Sequence, residues 1–380
     1  MSTRSQRPNA DAVAICPVGL EPVCAGELRE LGYRVGSPTA GVVPFRGSTR
    51  AVYEANLWLR TATRVLVRVA RFRATDFAHL ERRVGELDLA SYLGDGVAPR
   101  FRVTSRKSGL FHTDAVADRL HGIIGPAKTD DDQPEQVFVV RIDHDTVTLS
   151  VDTSGEPLHK RSWRTETVSA SLRPTLAAAA VLSSVWDRTS PVLDPFAGAG
   201  TFVIEAGLIA AALPPSDGRD YAFHRWPSFE GGTWASVTGG AATRSVEHAV
   251  ATLPALEAAD RDPAAIEAAK RNAERAGVKI DATVRPVGQM TGDLSAGLVI
   301  TNPPYGKRSA SGSRGTDPLY KRLGEMVRER RPNSTLTVVA PSGLSRIDRR
   351  LTTVAKTRNG GIDVIIATHR PAASRSAAGL

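Results

Sequence analysis

Val192-Leu-Asp-Pro-Phe-Ala-Gly-Ala-Gly-Thr201 is a short apolar strand that runs through a glycine-rich turn into a helix reaching Leu213. Strand, turn and helix in this order form half of a βαβ unit, and the pattern repeats downstream. Leu256 to Asp260 reads as a second strand, followed by a helix from Pro263 to Gly277. Leu298 to Asn302 is a buried strand entering Pro303-Pro304, and a helix over Leu319 to Arg330 precedes a strand over Thr335 to Ala340. This alternation predicts a parallel, doubly wound α/β sheet. The end of the chain departs from it: Thr352 to Lys356 and Ile362 to Thr368 flank Asn359-Gly-Gly361, the mark of an antiparallel hairpin.

The chain divides near residue 160. In the first part strands alternate with amphipathic helices, which suggests small α+β units. Ala12 to Cys16 reads as a strand, Gly19 to Leu31 as a helix, Val65 to Phe72 as a half-buried strand with a cationic face, and Phe101 to Ser105 as another strand. Thr113 is expected to cap a helix that runs to His121 and stops at Gly122. Val137 to Ile142 and Val147 to Val151 read as a hairpin across an Asp-rich turn. Arg64, Arg68, Arg71, Arg73, Arg100, Arg102, Arg106 and Lys107 lie in or beside these strands. Alternation should gather several on one face as a phosphate-binding surface; an ordinary charged sheet face is the alternative. Between Pro214 and Pro254 there is no clear periodicity, yet Tyr221, Phe223, Trp226 and Phe229 make the stretch too aromatic for plain disorder.

Composition sets outer bounds. A chain of 380 residues exceeds one typical domain, and 41% hydrophobic with 23% charged residues is ordinary for a soluble globular protein. The net charge of +9 favours a polyanionic partner. Cys16 and Cys24 are the only cysteines, too few for a disulfide framework or a zinc site, and no metal centre is expected. The longest nearly apolar run, Leu176 to Val185, is too short to span a bilayer, and Met1 to Asn9 does not open a signal peptide. A cytoplasmic location without membrane contact is the expectation.

Two motifs carry chemistry. In the first, Gly198 and Gly200 stand where a ligand passes close to the backbone, at a helix N-terminus with free N–H groups. Asp194, at the strand end, can accept a hydrogen bond from a cationic α-amino group such as that of S-adenosylmethionine. Phe196 and Thr201 are placed in the same cofactor-binding set. A nicotinamide dinucleotide competes for this turn, but its fingerprint wants a third glycine where Val203 stands. Asp217 and Asp220, which fit its acid by count, follow Pro214-Pro215 in a loop rather than closing a strand. Asp260, closing the second strand, can take both ribose hydroxyls. Asp262 is the near alternative, although Asp262-Pro263 looks more like a helix cap.

The second motif is Asn302-Pro-Pro-Tyr305 at the end of an apolar strand. A planar exocyclic amine must lose a proton and aim its lone pair at the methyl carbon. The side-chain carbonyl of Asn302 and the backbone carbonyl of Pro303 can both accept from that amine, drawing it towards tetrahedral geometry. The prolines hold the turn rigid, and Tyr305 can stack on a flipped base. The same chemistry suits guanine N2, adenine N6 or cytosine N4. Lys307 and Arg308 open a basic, Ser/Gly-rich loop that can grip phosphates or simply be solvated.

At these residues the chain resembles the THUMP-domain RNA N2-guanine methyltransferases, which include bacterial 23S ribosomal RNA enzymes and transfer-RNA relatives. Cys16-Pro-Val-Gly-Leu-Glu21 resembles the opening of their ferredoxin-like unit, and Val103-Thr-Ser-Arg-Lys-Ser108 with Phe111-His-Thr-Asp114 their THUMP core. Leu158-His-Lys-Arg161 and Ser171-Leu-Arg-Pro-Thr-Leu-Ala177 resemble the lead-in to the catalytic domain. Phe223-His-Arg-Trp-Pro227 and Arg358-Asn-Gly-Gly361 resemble features of the ribosomal-RNA branch. The resemblance implies a ferredoxin-like unit over residues 1–62 and a THUMP RNA-binding domain over 63–157. It also implies a Rossmann-like class I methyltransferase domain over 158–370, while the Ala/Ser/Arg composition of residues 371–380 reads as a disordered tail. It implies S-adenosylmethionine as cofactor and N2 of a guanine as acceptor, in ribosomal rather than transfer RNA. Arg68, Arg106, Lys107, Lys307 and Arg308 would meet the RNA. A catalytically silent RNA-binding assembly factor is the non-enzyme alternative. One departure stands out: the family often has an acid near Pro286, and Thr283 to Gln289 offers none, which leaves the adenine contact unassigned.

Overall fold

The computed structural model describes residues 10–167, 172–216, 218–249, 253–290, 297–305, 317–341 and 343–369. The chain forms two compact units. The first takes in residues up to Cys16, Ala25–Leu158 and Arg219–Thr238. Its strands are β1 (Ala10–Ile15), β2 (Arg34–Val35), β3 (Val42–Gly47), β4 (Arg64–Arg73), β5 (Ala98–Arg106), β6 (Glu135–Asp143) and β7 (Thr146–Asp152). They form one sheet in the order β2-β3-β1-β4-β7-β6-β5, antiparallel except for the β5–β6 pair. β4 pairs with β1 on one side and β7 on the other, so the residues read as separate ferredoxin-like and THUMP units share a single seven-stranded sheet.

A bulge in β4 decides which way its arginines face. Arg68 and Ala70 are the successive partners of Ser150 and Leu149, so Val69 is an extra residue. With strict alternation Arg71 and Arg73 would point with Val65 and Val67 into the core. The inserted residue reverses the phase and sends Phe72 inward in their place. The core face then holds Val67, Phe72, Phe138, Val140, Ile142, Val147, Leu149 and Val151, all buried. Leu80 and Val84 of helix Phe77–Gly85 and Val116 and Leu120 of helix Thr113–Ile124 are buried as well. Thr113 is the first residue of its helix rather than its cap; His112 holds that position and makes no side-chain cap bond. Gly122 lies inside the helix, which ends at Gly125, where φ is +148°.

The aromatic stretch without periodicity belongs to this first unit. Phe223 stacks on Tyr53 with ring centroids 4.4 Å apart, and Tyr221 lies nearly parallel to Phe223 at 5.1 Å. Trp226 Nε1 donates to Gln136 Oε1 at 2.7 Å, and Glu230 N donates to the Tyr53 hydroxyl at 3.0 Å. A 19-residue helix, Gly231–Ala249, follows. Sequence periodicity does not reveal it because Gly231, Gly232, Gly239 and Gly240 are poor helix formers and dilute the apolar stripe.

The second unit comprises Pro17–Cys24, His159–Gly218 and the chain from Gly239 onward. Its strands are β8 (Val192–Asp194), β9 (Leu256–Asp260), β10 (Asp281–Val284), β11 (Gly297–Thr301), β12 (Ser334–Ala340), β13 (Thr352–Asn359) and β14 (Ile362–His369). The order is β10-β9-β8-β11-β12-β14-β13; β8 to β12 run parallel, and β14 is antiparallel to both of its neighbours. This is the α/β sheet with a closing hairpin that the sequence predicts. Gly360 and Gly361 turn the hairpin at φ +55° and +85°, which a side chain would strain.

Every residue of helix Thr201–Ala210 is buried. Such a helix reads as an apolar run, and its one charge, Glu205, must be paired. Arg161 Nε donates to Glu205 Oε1 at 2.9 Å, with both side chains at or below 1% exposure. The pair holds the lead-in segment on the helix that follows the glycine turn. The reading of this helix to Leu213 overshoots, since Ala211 caps it and Ala212 turns left-handed at φ +49°.

Candidate active site

The sheet brings the two chemical motifs to one edge. β8 sits between β9 and β11, and its first connection leads to β9 on one side while β11 lies on the other. Ligands of doubly wound sheets settle at the carboxyl ends of the strands where the order reverses in this way. β8 ends at Asp194, β9 at Asp260 and β11 at Thr301, one residue before Asn302.

Asp194 is 1% exposed. Its Oδ1 accepts from Thr301 Oγ1 at 2.7 Å and from the Phe196 amide at 3.0 Å. Burial pushes the carboxyl up to about 7, and the charge of Asp260 adds to the rise against those two hydrogen bonds. A buried carboxyl so short of compensation fits a cationic ligand. The Thr301 bond also ties the strand end before Asn302 to the strand end at the glycine turn, a link the sequence does not predict. A threonine closing an apolar strand just before Asn-Pro is the only signal that points to it.

The glycine turn is held from both sides. Gly198 and Gly200 have φ of +50° and +80°. A Cβ on Gly200 would come within 3.0 Å of the Ala269 Cβ, so the turn packs closely on helix Pro263–Arg275. Asp260 Oδ2 accepts from the Gly198 amide at 3.0 Å, and Oδ1 accepts from the Asp262 amide at 3.1 Å. Each oxygen keeps a lone pair for a ribose hydroxyl. Asp262 instead accepts from the Ala264 amide at 2.9 Å and caps its helix. Asn272, fully buried and also unforeseen, donates to the carbonyls of Ala199 and Glu166 at 3.1 Å each.

Asn302 is half-buried and Pro303 buried. The Tyr305 hydroxyl donates to Asn302 Oδ1, and the ring packs against the buried clusters on both sides of the sheet. Burial, with a contribution from Tyr320, pushes the phenol well above its ordinary value of 10, against a hydrogen bond from Asn359. The tyrosine is therefore a permanent donor to Asn302, and its ring is half-buried. Gln289, at the end of the stretch that lacks the family's acid, is exposed, while Val287 and Met290 beside it enter the core.

The predicted RNA contacts lie in the first unit and in the loop after Tyr305. Cross-strand register puts Arg68 level with Ser150, Val139 and Arg102, and Arg71 level with Thr148, Arg141 and Thr104. Arg73, Thr146, Asp143 and Arg106 form the next row. Arg64, Arg68, Arg71, Arg73, Arg100, Arg102, Arg106 and Arg141 thus share the face opposite the core. Burial and the neighbouring Arg64 and Arg100 hold Arg102 below its ordinary value, a sign of crowded cations. Arg68 lies 3.6 Å from Asp11. Lys307, Arg308 and the tail lie outside the described residues.

Residues 161–366 match the family described as "RMKL-like, methyltransferase domain", and residues 11–66 match "RlmL ferredoxin-like domain". The chain belongs to this methyltransferase family. It is 36% identical over 83% of its length to a ribosomal RNA large subunit methyltransferase K/L of Syntrophotalea carbinolica, of which it covers 47%. The chain thus spans about half the length of the K/L relatives it matches. It is 32% identical to a putative RNA methyltransferase, YpsC, of Bacillus subtilis, with 82% of this chain and 83% of that one covered. A crystal structure of SMU.472, a putative methyltransferase complexed with SAH, superposes with a TM-score of 0.84 at 27% identity over 97% of this chain and 99% of that one. No described helix is long and apolar enough to cross a membrane.

Proposed function

We propose that the chain transfers a methyl group from S-adenosylmethionine to N2 of a guanine in 23S ribosomal RNA. The observation that carries this reading is the Thr301–Asp194 hydrogen bond of 2.7 Å. It ties the strand end before Asn302 and Pro303, which would accept from an exocyclic amine, to Asp194, which supports one site for amine and cofactor. Asp194 would hold the ammonium group of the cofactor and Asp260 its ribose, with Gly198 and Gly200 leaving room for its passage. When bound, the cofactor supplies a methyl group on a sulfonium leaving group. The chain orients the acceptor: Asn302 Oδ1 and the Pro303 carbonyl accept the two amine hydrogens and turn the nitrogen lone pair towards the methyl carbon. The N–C bond forms as the C–S bond breaks to a neutral thioether, and the methylated nitrogen, then cationic and acidic, gives its proton to water, so no strong base is needed. Orientation of this kind contributes a large part of a two-substrate barrier.

The guanine acceptor and ribosomal RNA rest on the resemblance and on relatives described as ribosomal RNA methyltransferases. The shared arginine face supports a phosphate-rich partner. Nucleoside mass spectrometry of separately purified ribosomal and transfer RNA from deletion and wild-type cells tests the reading. It expects loss of N2-methylguanosine from ribosomal RNA, restored by the wild-type gene and not by Asn302→Ala. Loss from transfer RNA alone would move the substrate, and no change in either RNA would overturn the guanine assignment.

A further inference from the structure

Phe111 is the one aromatic ring among the large apolar side chains exposed in the described structure, at 65% exposure. Its segment is held rigidly. Leu110 is buried, the Gly109 amide donates to Asp145 Oδ1 at 2.8 Å, and the Ser108 hydroxyl accepts from the Asp145 amide at 2.9 Å. A Cβ on Gly109 would lie 2.4 Å from the Thr75 carbonyl oxygen, so the strap fits its bed only as glycine. Lys107 turns left-handed at φ +48°, and it and Arg106 are exposed. Among the described residues the one carboxylate beside Arg106 is Asp143, at a loose 3.6 Å.

His112 adds a second, independent observation. It occupies the N-cap of helix Thr113–Ile124, where Ser, Thr, Asp or Asn would be worth about 1 kcal/mol, yet it makes no cap bond. Its ring instead lies 4.0 Å from that of Phe111, tilted by 42°. Local stability is forgone, and a two-ring surface is presented to solvent beside two cations.

We infer that Phe111 and His112 form a stacking platform for an unpaired nucleobase of the RNA, with the flanking phosphates on Arg106 and Lys107. The inference rests on the RNA reading above and specifies it: duplex is gripped through phosphates, and a single-stranded base next to it is held by its π face. Stacking of this kind is tolerant of base identity and strong enough to measure.

The test uses the full chain and two RNA probes, a hairpin with a single-stranded overhang carrying 2-aminopurine and the same hairpin without the overhang. Phe111→Ala is expected to weaken binding of the overhang probe about tenfold, the share of one stacked base, and to abolish 2-aminopurine quenching. It should leave the blunt probe and S-adenosylmethionine binding unchanged, and Phe111→Trp should restore the overhang preference. Equal binding of the overhang probe by wild type and Phe111→Ala overturns the platform while leaving the methyltransferase reading intact. Failure of the wild type to bind either RNA overturns both.

Discussion

Replacing Asp194 by asparagine should make the ligand-free protein more stable at pH 8 while removing its grip on the cofactor. The carboxyl is fully buried, receives two hydrogen bonds on one oxygen and lies near Asp260, and its pKa stands at about 7 against an ordinary 3.8. Below about pH 4 it is protonated in both folded and unfolded chains and makes no difference. Between about pH 4 and pH 7 the unfolded chain releases the proton and the folded one keeps it, so stability falls as pH rises and levels off above about 7. At 1.36 kcal/mol for each tenfold change in protonation, the loss is about 4 kcal/mol. Asparagine keeps the acceptor for Thr301 and Phe196 but carries no charge. Urea unfolding of wild type and Asp194→Asn at pH 4, 6 and 8 should show their difference shifting in favour of the variant by up to about 4 kcal/mol. Titrating groups other than Asp260, whose charge couples to that of Asp194, cancel in that difference to first order. The linkage also predicts that S-adenosylmethionine binds the wild type about tenfold more weakly at pH 6 than at pH 7.5, since the cation needs the ionised carboxylate. A stability difference that stays constant across the pH range would refute this account of Asp194.

Asn302→Ala should lower kcat by about a hundredfold or more, the order seen when one oriented polar group is lost, with cofactor affinity within twofold by calorimetry. Tyr305→Phe removes the donor to Asn302 and keeps the ring, so kcat should fall about tenfold with KM for RNA unchanged; a rise in KM alone would show that the hydroxyl serves binding instead. Gly200→Ala places a side chain at φ +80° and 3.0 Å from Ala269, which should cost about 1–2 kcal/mol and weaken cofactor binding in the same titration. Phe223→Ala opens a hole beside Tyr53 and should destabilise by about 3–5 kcal/mol in urea unfolding. For the same reason a fragment starting at residue 159 leaves Tyr221, Phe223 and Trp226 without their bed, and size-exclusion chromatography should find it aggregated.

Much of the catalytic unit was legible because its signals are local. β8 and β9 begin and end where apolar runs meet Asp194 and Asp260, and the closing hairpin follows from Asn359-Gly-Gly361. A strand buried on both faces, a glycine turn and a Pro-rich strand end each state their geometry within ten residues. The family resemblance then tied them into one enzyme class. Helix Gly231–Ala249 and the hydrogen bond from Tyr305 to Asn302 were not legible, because glycines mask the first and the second forms only after folding.

By itself the sequence determined the doubly wound sheet, the order of its motifs and the residue types on offer at its edge, since these follow from hydrophobic period and turn chemistry. Tertiary structure alone decided which groups meet. Register across β8 and β11 brings Thr301 onto Asp194, and one extra residue at Val69 turns Arg71 and Arg73 out of the core to join the other arginines. The aromatic stretch around Phe223 folds back more than 150 residues to Tyr53. Period-two alternation fixes a side chain's face only while the register is unbroken, and long-range partners are chosen by packing, to which no local pattern points.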